Sequence, residues 1–503
     1  MNFWLILPAV FSAVGGIALL ILSLAFHLRE KSWETLKEDD KFRKKLHIYV
    51  MIVLAVGVFM GLYAAWGSSG TFMAFTFVEG IRIEFCADGI AKIFATLTSI
   101  IWVFCGFYSC RYMRHEKNEL RYFGFFLVVY AVVIMLDFSG NLITFYLFYE
   151  MMTLTSMPLV LHTGTKEAIS AAFKYLFYSL IGAYLALYCI YFLYSNTTSL
   201  TFAPGGTLDT ALAAENGEIL LLAVFFMLIG FGAKAGMFPL HAWLPSAHPV
   251  APAPASAALS SIIVKGGILA IIRTLFYIVG ADFIRGTWVQ SAWCVLSLIT
   301  VLMGSVMAFK TKNLKKRLAY STVSQVSYVI FGLSLLSESG FEGAILQVVF
   351  HAFAKCALFL VAGIFIFETG KTDADDYKAI GKRLPVSLAA FLAAGLSLIG
   401  IPPFGGFVSK WYIASGALVA ENSVLGYAGA IVLLISAVLT AGYLLPVAIK
   451  GFMPGKDDKT PKSKEKINLM NAAALLPAAI VLLLGIYPAA LIEFIKKAAD
   501  GIF

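Results

Sequence analysis

Runs of about 20 apolar residues recur along this 503-residue chain, divided by short polar stretches. Coiled as a helix, such a run is as long as the ~30 Å hydrocarbon core of a bilayer is thick. The pattern predicts fourteen spanning segments, at 3–26, 48–67, 87–109, 122–137, 140–161, 169–194, 218–246, 254–279, 287–309, 318–336, 341–367, 385–420, 424–449 and 468–490. The fourth and fifth are parted only by a few residues at 137–140. Basic side chains check the count independently, because they accumulate in cytoplasmic loops. With the N-terminus outside, only Arg82, Arg285, Lys496 and Lys497 of the 38 lysines and arginines lie outside. Seven more, Lys92, Lys174, Lys234, Lys265, Arg273, Lys355 and Lys410, fall within apolar segments, and all the rest fall in inside loops. One missed or invented helix would reverse the phase of everything beyond it. The expected architecture is an all-α polytopic membrane protein with both termini outside.

Two segments are interrupted. The seventh runs through Pro239 and Pro245, and the twelfth through Pro402, Pro403, Gly405 and Gly406. Broken helices at bilayer depth are tolerated only where the freed backbone is buried in protein or lines a cavity. The two breaks are five segments apart, so the chain divides into three N-terminal segments (1–110), one five-helix repeat (122–279), a second (287–450) and a C-terminal helix (468–503). An odd number of spans per repeat makes the second copy inverted. Corresponding broken helices in inverted halves point to a transport path near the midplane.

Composition narrows the class. With 60% hydrophobic and 13% charged residues, a soluble globule is excluded. The net charge of +9 belongs to the loops between apolar runs and implies the lipid bilayer, not nucleic acid, as the partner. The six cysteines are scattered without a CxxC pair, and no haem, flavin or cluster motif is visible, so neither a metal site nor a redox cofactor is expected. The first segment has no basic residue ahead of it and no small-residue cleavage pattern, so it is expected to stay in the mature chain.

The candidate chemistry lies in the ionisable residues at bilayer depth, where a charge is costly and marks an ion or proton path by default. Glu150 sits in the middle of the fifth segment and needs a cation beside it; Lys234, just ahead of the first break, is the expected partner. Lys265 is central in the eighth segment. Lys355 is central in the eleventh, with His351 one helical turn before it on the same face. Such a row permits proton relay, and the spacing of Glu150 and Lys234 would decide whether the lysine holds or releases its proton. Lys174 lies a turn inside the sixth segment, within snorkelling reach of the cytoplasmic surface. Lys92 and Arg273 are expected to snorkel to the outer surface. His241 and His248 flank the first break, where they either carry protons or satisfy freed carbonyls.

The run AKAGMFPLHAWLPSAHPVAPAPASAALSSIIVKGG, with Glu150, the HAFAKCALFLVAG of the eleventh segment and the GIPPFGGFVSKW of the twelfth, resembles the antiporter-like membrane subunits of the complex I superfamily. That family includes proton-pumping subunits of NADH:quinone oxidoreductase, their counterparts in Mrp-type sodium/proton antiporters, and membrane subunits of energy-converting hydrogenases. The resemblance covers segments four to thirteen. It implies fourteen helices with two inverted five-helix repeats, and a proton path through Glu150, Lys234, Lys265 and an exit residue at Lys410. One respiratory branch carries glutamate in place of Lys410, and the commonest respiratory form carries aspartate in place of Ser246.

The sequence therefore reads as a proton-translocating subunit, with sodium exchange as a variant, working beside other membrane subunits, further antiporter-like ones among them. It would belong to an ion-translocating oxidoreductase or antiporter complex and perform no redox catalysis of its own. Two other classes compete. An autonomous carrier of a small solute would need a solute pocket, which a series of lysines and one glutamate does not suggest. A passive scaffold would leave the central lysines unexplained.

Overall fold

A computed structural model of the chain describes residues 2–28, 40–68, 70–78, 81–420, 422–453, 465 and 468–503. The loop lysines at 31, 37, 456, 459, 462, 464 and 466 lie outside the described residues. Helices α1 (Leu7–Leu28), α2 (Asp40–Gly67) and α3 (Gly89–Tyr112) form the N-terminal group. Next come α4 (Glu119–Asp137), α5 (Leu142–Val160), α6 (Lys166–Asn196), α7 (Gly217–Ala235), the short α8 (Leu244–Val250) and α9 (Ala253–Val279). The remainder comprises α10 (Trp288–Lys310), α11 (Leu314–Ser334), α12 (Glu338–Thr369), α13 (Pro385–Ile399), α14 (Gly405–Leu418), α15 (Ser423–Phe452), α16 (Leu469–Ile486) and α17 (Ala489–Ala498).

Among the described residues, eleven helices are long and apolar enough to cross a membrane. The other three expected segments are present as helices but fall outside that set for identifiable reasons. Helix α5 carries Glu150 and several hydroxyls, and α11 begins with Lys315, Lys316 and Arg317. The twelfth segment is split into α13 and α14. Fourteen crossings therefore remains an expectation.

Both breaks are real. Helix α7 stops at Gly236, which adopts a left-handed conformation (φ 80°), and the chain turns before α8 restarts with Pro245 in its first turn. Helix α13 stops at Gly400 (φ 92°), and α14 restarts after Phe404. Proline suits the first turn of each restarted helix or the gap before it, since it has no N–H to lose there.

The apolar surface is turned outwards, as lipid as solvent requires. Ile21, Phe59, Tyr191 and Val438 are among many large apolar side chains more than half exposed. Helices α9 and α12, by contrast, are buried almost throughout. They form the centre, and they carry Lys265, His351 and Lys355. Helix α9 is distorted by two π-helical stretches, Leu259–Ile263 and Ile272–Val279, one on each side of Lys265. Such wide turns inside a helix are frequent at functional sites. Gly267 lets α9 approach α7 closely: a Cβ there would lie 2.7 Å from both Ala235 N and Phe231 O.

A feature absent from the sequence reading is an antiparallel hairpin of β1 (Thr71–Val78) and β2 (Ile81–Cys86), with Thr71 opposite Cys86. Its second strand is tied to the link between α4 and α5, through Cys86 N–H to Phe138 O (2.7 Å) and Gly140 N–H to Glu84 O (2.8 Å).

Candidate functional site

Lys234 occupies the last turn of α7 and is fully buried. Its ammonium donates to the hydroxyls of Thr153 on α5 and of Ser179 (3.0 Å) and Tyr175 (3.5 Å) on α6. It also lies over the rings of Tyr149 (5.4 Å) and Tyr175 (4.9 Å). Glu150 is the carboxylate that acts on it electrostatically, yet the two make no ion pair within 4.0 Å among the described residues. One Glu150 oxygen is buried without a protein partner. The expected pair is thus a spaced one, with hydroxyls and π-faces holding the lysine in place of the carboxylate.

Lys265 is buried in the middle of α9, donating to Ser260 O (2.6 Å) and lying 2.6 Å from Nδ1 of His351. An ammonium only donates, so in that state Nδ1 accepts and the ring proton sits on Nε2. Nε2 is buried and has no protein partner. Lys355, also buried, donates to Leu318 O (2.9 Å), the carbonyl of a neighbouring helix. His248 in α8 is fully buried, both ring nitrogens lack a protein partner, and its ring stacks on Phe359 at 4.7 Å. It therefore does not satisfy carbonyls freed by the break.

Lys410 lies in the first turns of α14 and reaches back across the second break. It donates to Leu398 O (2.5 Å) and Ile399 O (3.0 Å), the last carbonyls of α13, and lies 4.8 Å from the Tyr328 ring. Helix C-termini carry unpaired carbonyls and partial negative charge, so this is a natural seat for a cation. A side chain on Gly400 would place its Cβ 2.9 Å from Lys410 Cδ.

A buried polar cluster missed by the sequence reading ties α12 to α11 and α14, one helical turn from His351 and next to Lys410 in the chain. Gln347 lies one turn before His351 on α12; its amide donates to Gln325 Oε1 (3.0 Å), and its own oxygen accepts from Ser409 Oγ (2.6 Å), the neighbour of Lys410. The i, i+4, i+8 spacing of Gln347, His351 and Lys355 was a usable signal. The hydroxyl partners Thr153, Ser179 and Tyr175 carried none, because single hydroxyls are common in apolar helices.

The peripheral expectations separate. Lys174 is half-buried on α6, within electrostatic reach of His241, whose Nδ1 is buried without a partner and whose ring faces Phe238 at 5.9 Å. Lys92 lies 5.7 Å from the ring of Trp66. Arg273 does not snorkel. It is fully buried, makes a bidentate pair with Asp88 (2.5 and 2.8 Å), and is sandwiched near Phe202 and Tyr277. The expectation failed because its partner, the N-cap of α3, is 185 residues away in the chain. No signal near Arg273 reveals it.

Buried lysines beside both broken helices and a buried lysine–histidine pair on the central helices define a polytopic helical membrane protein with an internal polar site. Comparison with known proteins gives the family. Residues 139–440 match the family described as NADH:quinone oxidoreductase/Mrp antiporter, TM, and the chain belongs to it. It is 31% identical to NADH-quinone oxidoreductase subunit N of Desulforudis audaxviator, over 80% of this chain and 81% of that one. It is 32% identical to hydrogenase-4 component B of Escherichia coli, over 79% of this chain and 62% of that longer protein. A chain of the Mrp complex from Dietzia shares the fold, with a TM-score of 0.79 at 22% identity, covering 100% of this chain and 98% of its own length.

Proposed function

We propose that this chain is a proton-translocating subunit of a multisubunit membrane complex, and that Glu150, Lys234, Lys265, His351, Lys355 and Lys410 form its path. One observation carries the reading: each broken helix presents a lysine against a tyrosine ring, and the Lys265–His351 pair stands between them. Lys234 meets Tyr149 of α5, and Lys410 meets Tyr328 of α11. Helices α5 and α11 are each second in the five-helix repeats 122–279 and 287–450. This correspondence supports a repeated five-helix unit; the basic loops are the separate support for both termini outside, and on this reading Lys174, His241 and His248 flank the path. The relatives' names support the same role: an oxidoreductase subunit and a hydrogenase component, with a chain of an antiporter complex sharing the fold.

The test compares the assembly that copurifies with the chain in mild detergent against the chain alone, each in liposomes containing a pH-sensitive dye. Proton movement driven by the partner reaction, or by a sodium gradient in an Mrp-like assembly, is expected from the assembly only. Robust driven transport by the isolated chain would overturn the reading in favour of an autonomous carrier.

A further inference from the structure

A second site lies at the basic end of the bundle, away from the lysine file. The start of α2, the end of α3 and the adjoining ends of α12 and α16 enclose a groove of about 990 Å³, at the upper end of the ~300–1,000 Å³ range of small-molecule sites. Its wall is apolar, formed by residues such as Ile48, Ile52 and Phe107, with Ile48 and Ile52 each about half exposed (51% and 55%). Its rim is cationic, formed by Lys44, Arg111 and Arg114. None of these three makes an ion pair among the described residues.

Two described acids nearby are otherwise engaged. Glu119 is fully buried beneath the groove, held by Arg43 (2.5 Å) and His47 (3.2 Å). Glu116 is drawn electrostatically to Lys315. An apolar slot under a basic rim that forms no ion pair among the described residues, at the end of spanning helices, has the charge pattern of one amphiphile: acyl chains below, an anionic phosphate above.

We propose that this groove is a specific site for an anionic, two-chain phospholipid. The guanidinium groups of Arg111 and Arg114, with Lys44, take the headgroup phosphate, and the acyl chains lie along α2 beside Ile48 and Ile52. The basic end of the groove then belongs to the leaflet richer in anionic lipid.

The experiment is native mass spectrometry of the full chain, released from detergent with phosphatidylglycerol or phosphatidylcholine of matched acyl chains. Wild type should retain phosphatidylglycerol preferentially. The Lys44→Gln/Arg111→Gln/Arg114→Gln variant should lose affinity for it by on the order of a hundredfold, since each basic side chain near an anionic headgroup contributes about a factor of five. Ala55→Trp, which fills the apolar part and leaves the rim intact, should lower retention of both lipids and keeps the proposal testable if the triple variant folds poorly. Equal retention of the two lipids by wild type would overturn it, as would indifference to Ala55→Trp. So would capture of a polypeptide, not a lipid, by a photo-crosslinker at position 52 in intact membranes.

Discussion

Replacing Lys234 separates a lysine that conducts from one that merely fills space. Methionine is the informative substitute because it keeps most of the volume, whereas alanine would add a cavity costing ~2–5 kcal/mol. The ammonium engages three hydroxyls and two ring faces. Hydrogen bonds to a charged group are worth ~1.5–3 kcal/mol each and a desolvated cation–π contact ~2 kcal/mol. Against that stands a desolvation penalty of several kcal/mol for a buried ion. Tyr175 keeps its Ser156 partner at 2.8 Å, but the buried Thr153 and Ser179 hydroxyls lose theirs at ~1–3 kcal/mol each, so Lys234→Met should destabilise by ~2–6 kcal/mol. Proton translocation by the assembled complex should fall more than tenfold, a barrier increase above ~1.4 kcal/mol. Lys234→Arg is the sharper control: it keeps the charge but cannot give up its proton, so it should assemble normally and still fail to conduct. Glu150→Gln combined with Lys234→Met should be little worse than either alone, as for residues acting as a unit. The assay is dye quenching in membrane vesicles, normalised to complex content. Pumping by Lys234→Arg within twofold of wild type would refute the reasoning.

Three further outcomes are expected. Gly400→Ala puts a side chain at φ 92° and against Lys410, so it should cost at least ~1–2 kcal/mol and impair transport, whereas Gly395→Ala, whose Cβ meets nothing nearer than 3.7 Å, should be neutral or stabilising; both are read from thermal melts of the purified protein. His162, in the loop after α5, is pushed by burial and then by Arg121 from its ordinary 6.5 down to about 4, so the neutral native form is favoured fully above pH 6.5 and that stability is lost as pH falls towards 4. At pH 5 the loss is about 2 kcal/mol, and His162→Gln should remove this part of the pH dependence of the melting temperature; an unchanged profile would count against it. Arg273→Met should destabilise by ~3 kcal/mol by stranding Asp88, with Asp88→Asn in the same chain restoring much of the loss, as measured by yield of intact protein after heating.

The lysines and both helix breaks were legible because bilayer depth makes charge and proline conspicuous against an apolar background. Glu150, Lys234, Lys265, His351 and Lys355 could be named from position alone, and the structure sets His351 directly against Lys265. The contacts that hold them were not legible. Thr153, Ser179 and Gln325 are ordinary residues whose importance comes from which helix they face, and facing is a tertiary property. The Arg273–Asp88 pair joins helices distant in sequence, and local reasoning sent the arginine to the surface instead. The hairpin at 71–86 passed unnoticed because its alternation is short beside the long apolar runs around it.

The contact between Lys265 and His351 has a consequence for how traffic could be metered. A proton handed from the ammonium to Nδ1 makes the ring a cation with hydrogens on both nitrogens, and onward release must come from Nε2. The ring is then left in the opposite tautomer, with its hydrogen facing Lys265 and its acceptor facing away. Lys265 cannot pass a second proton into a nitrogen that already bears one. The ring must first turn over, because returning that hydrogen to the neutral lysine while Nε2 is refilled from the far side only reverses the transfer. On the proposed path the pair would work as a turnstile admitting one proton per reset, with the rate of ring reorientation as the ceiling on flux through the centre of the molecule.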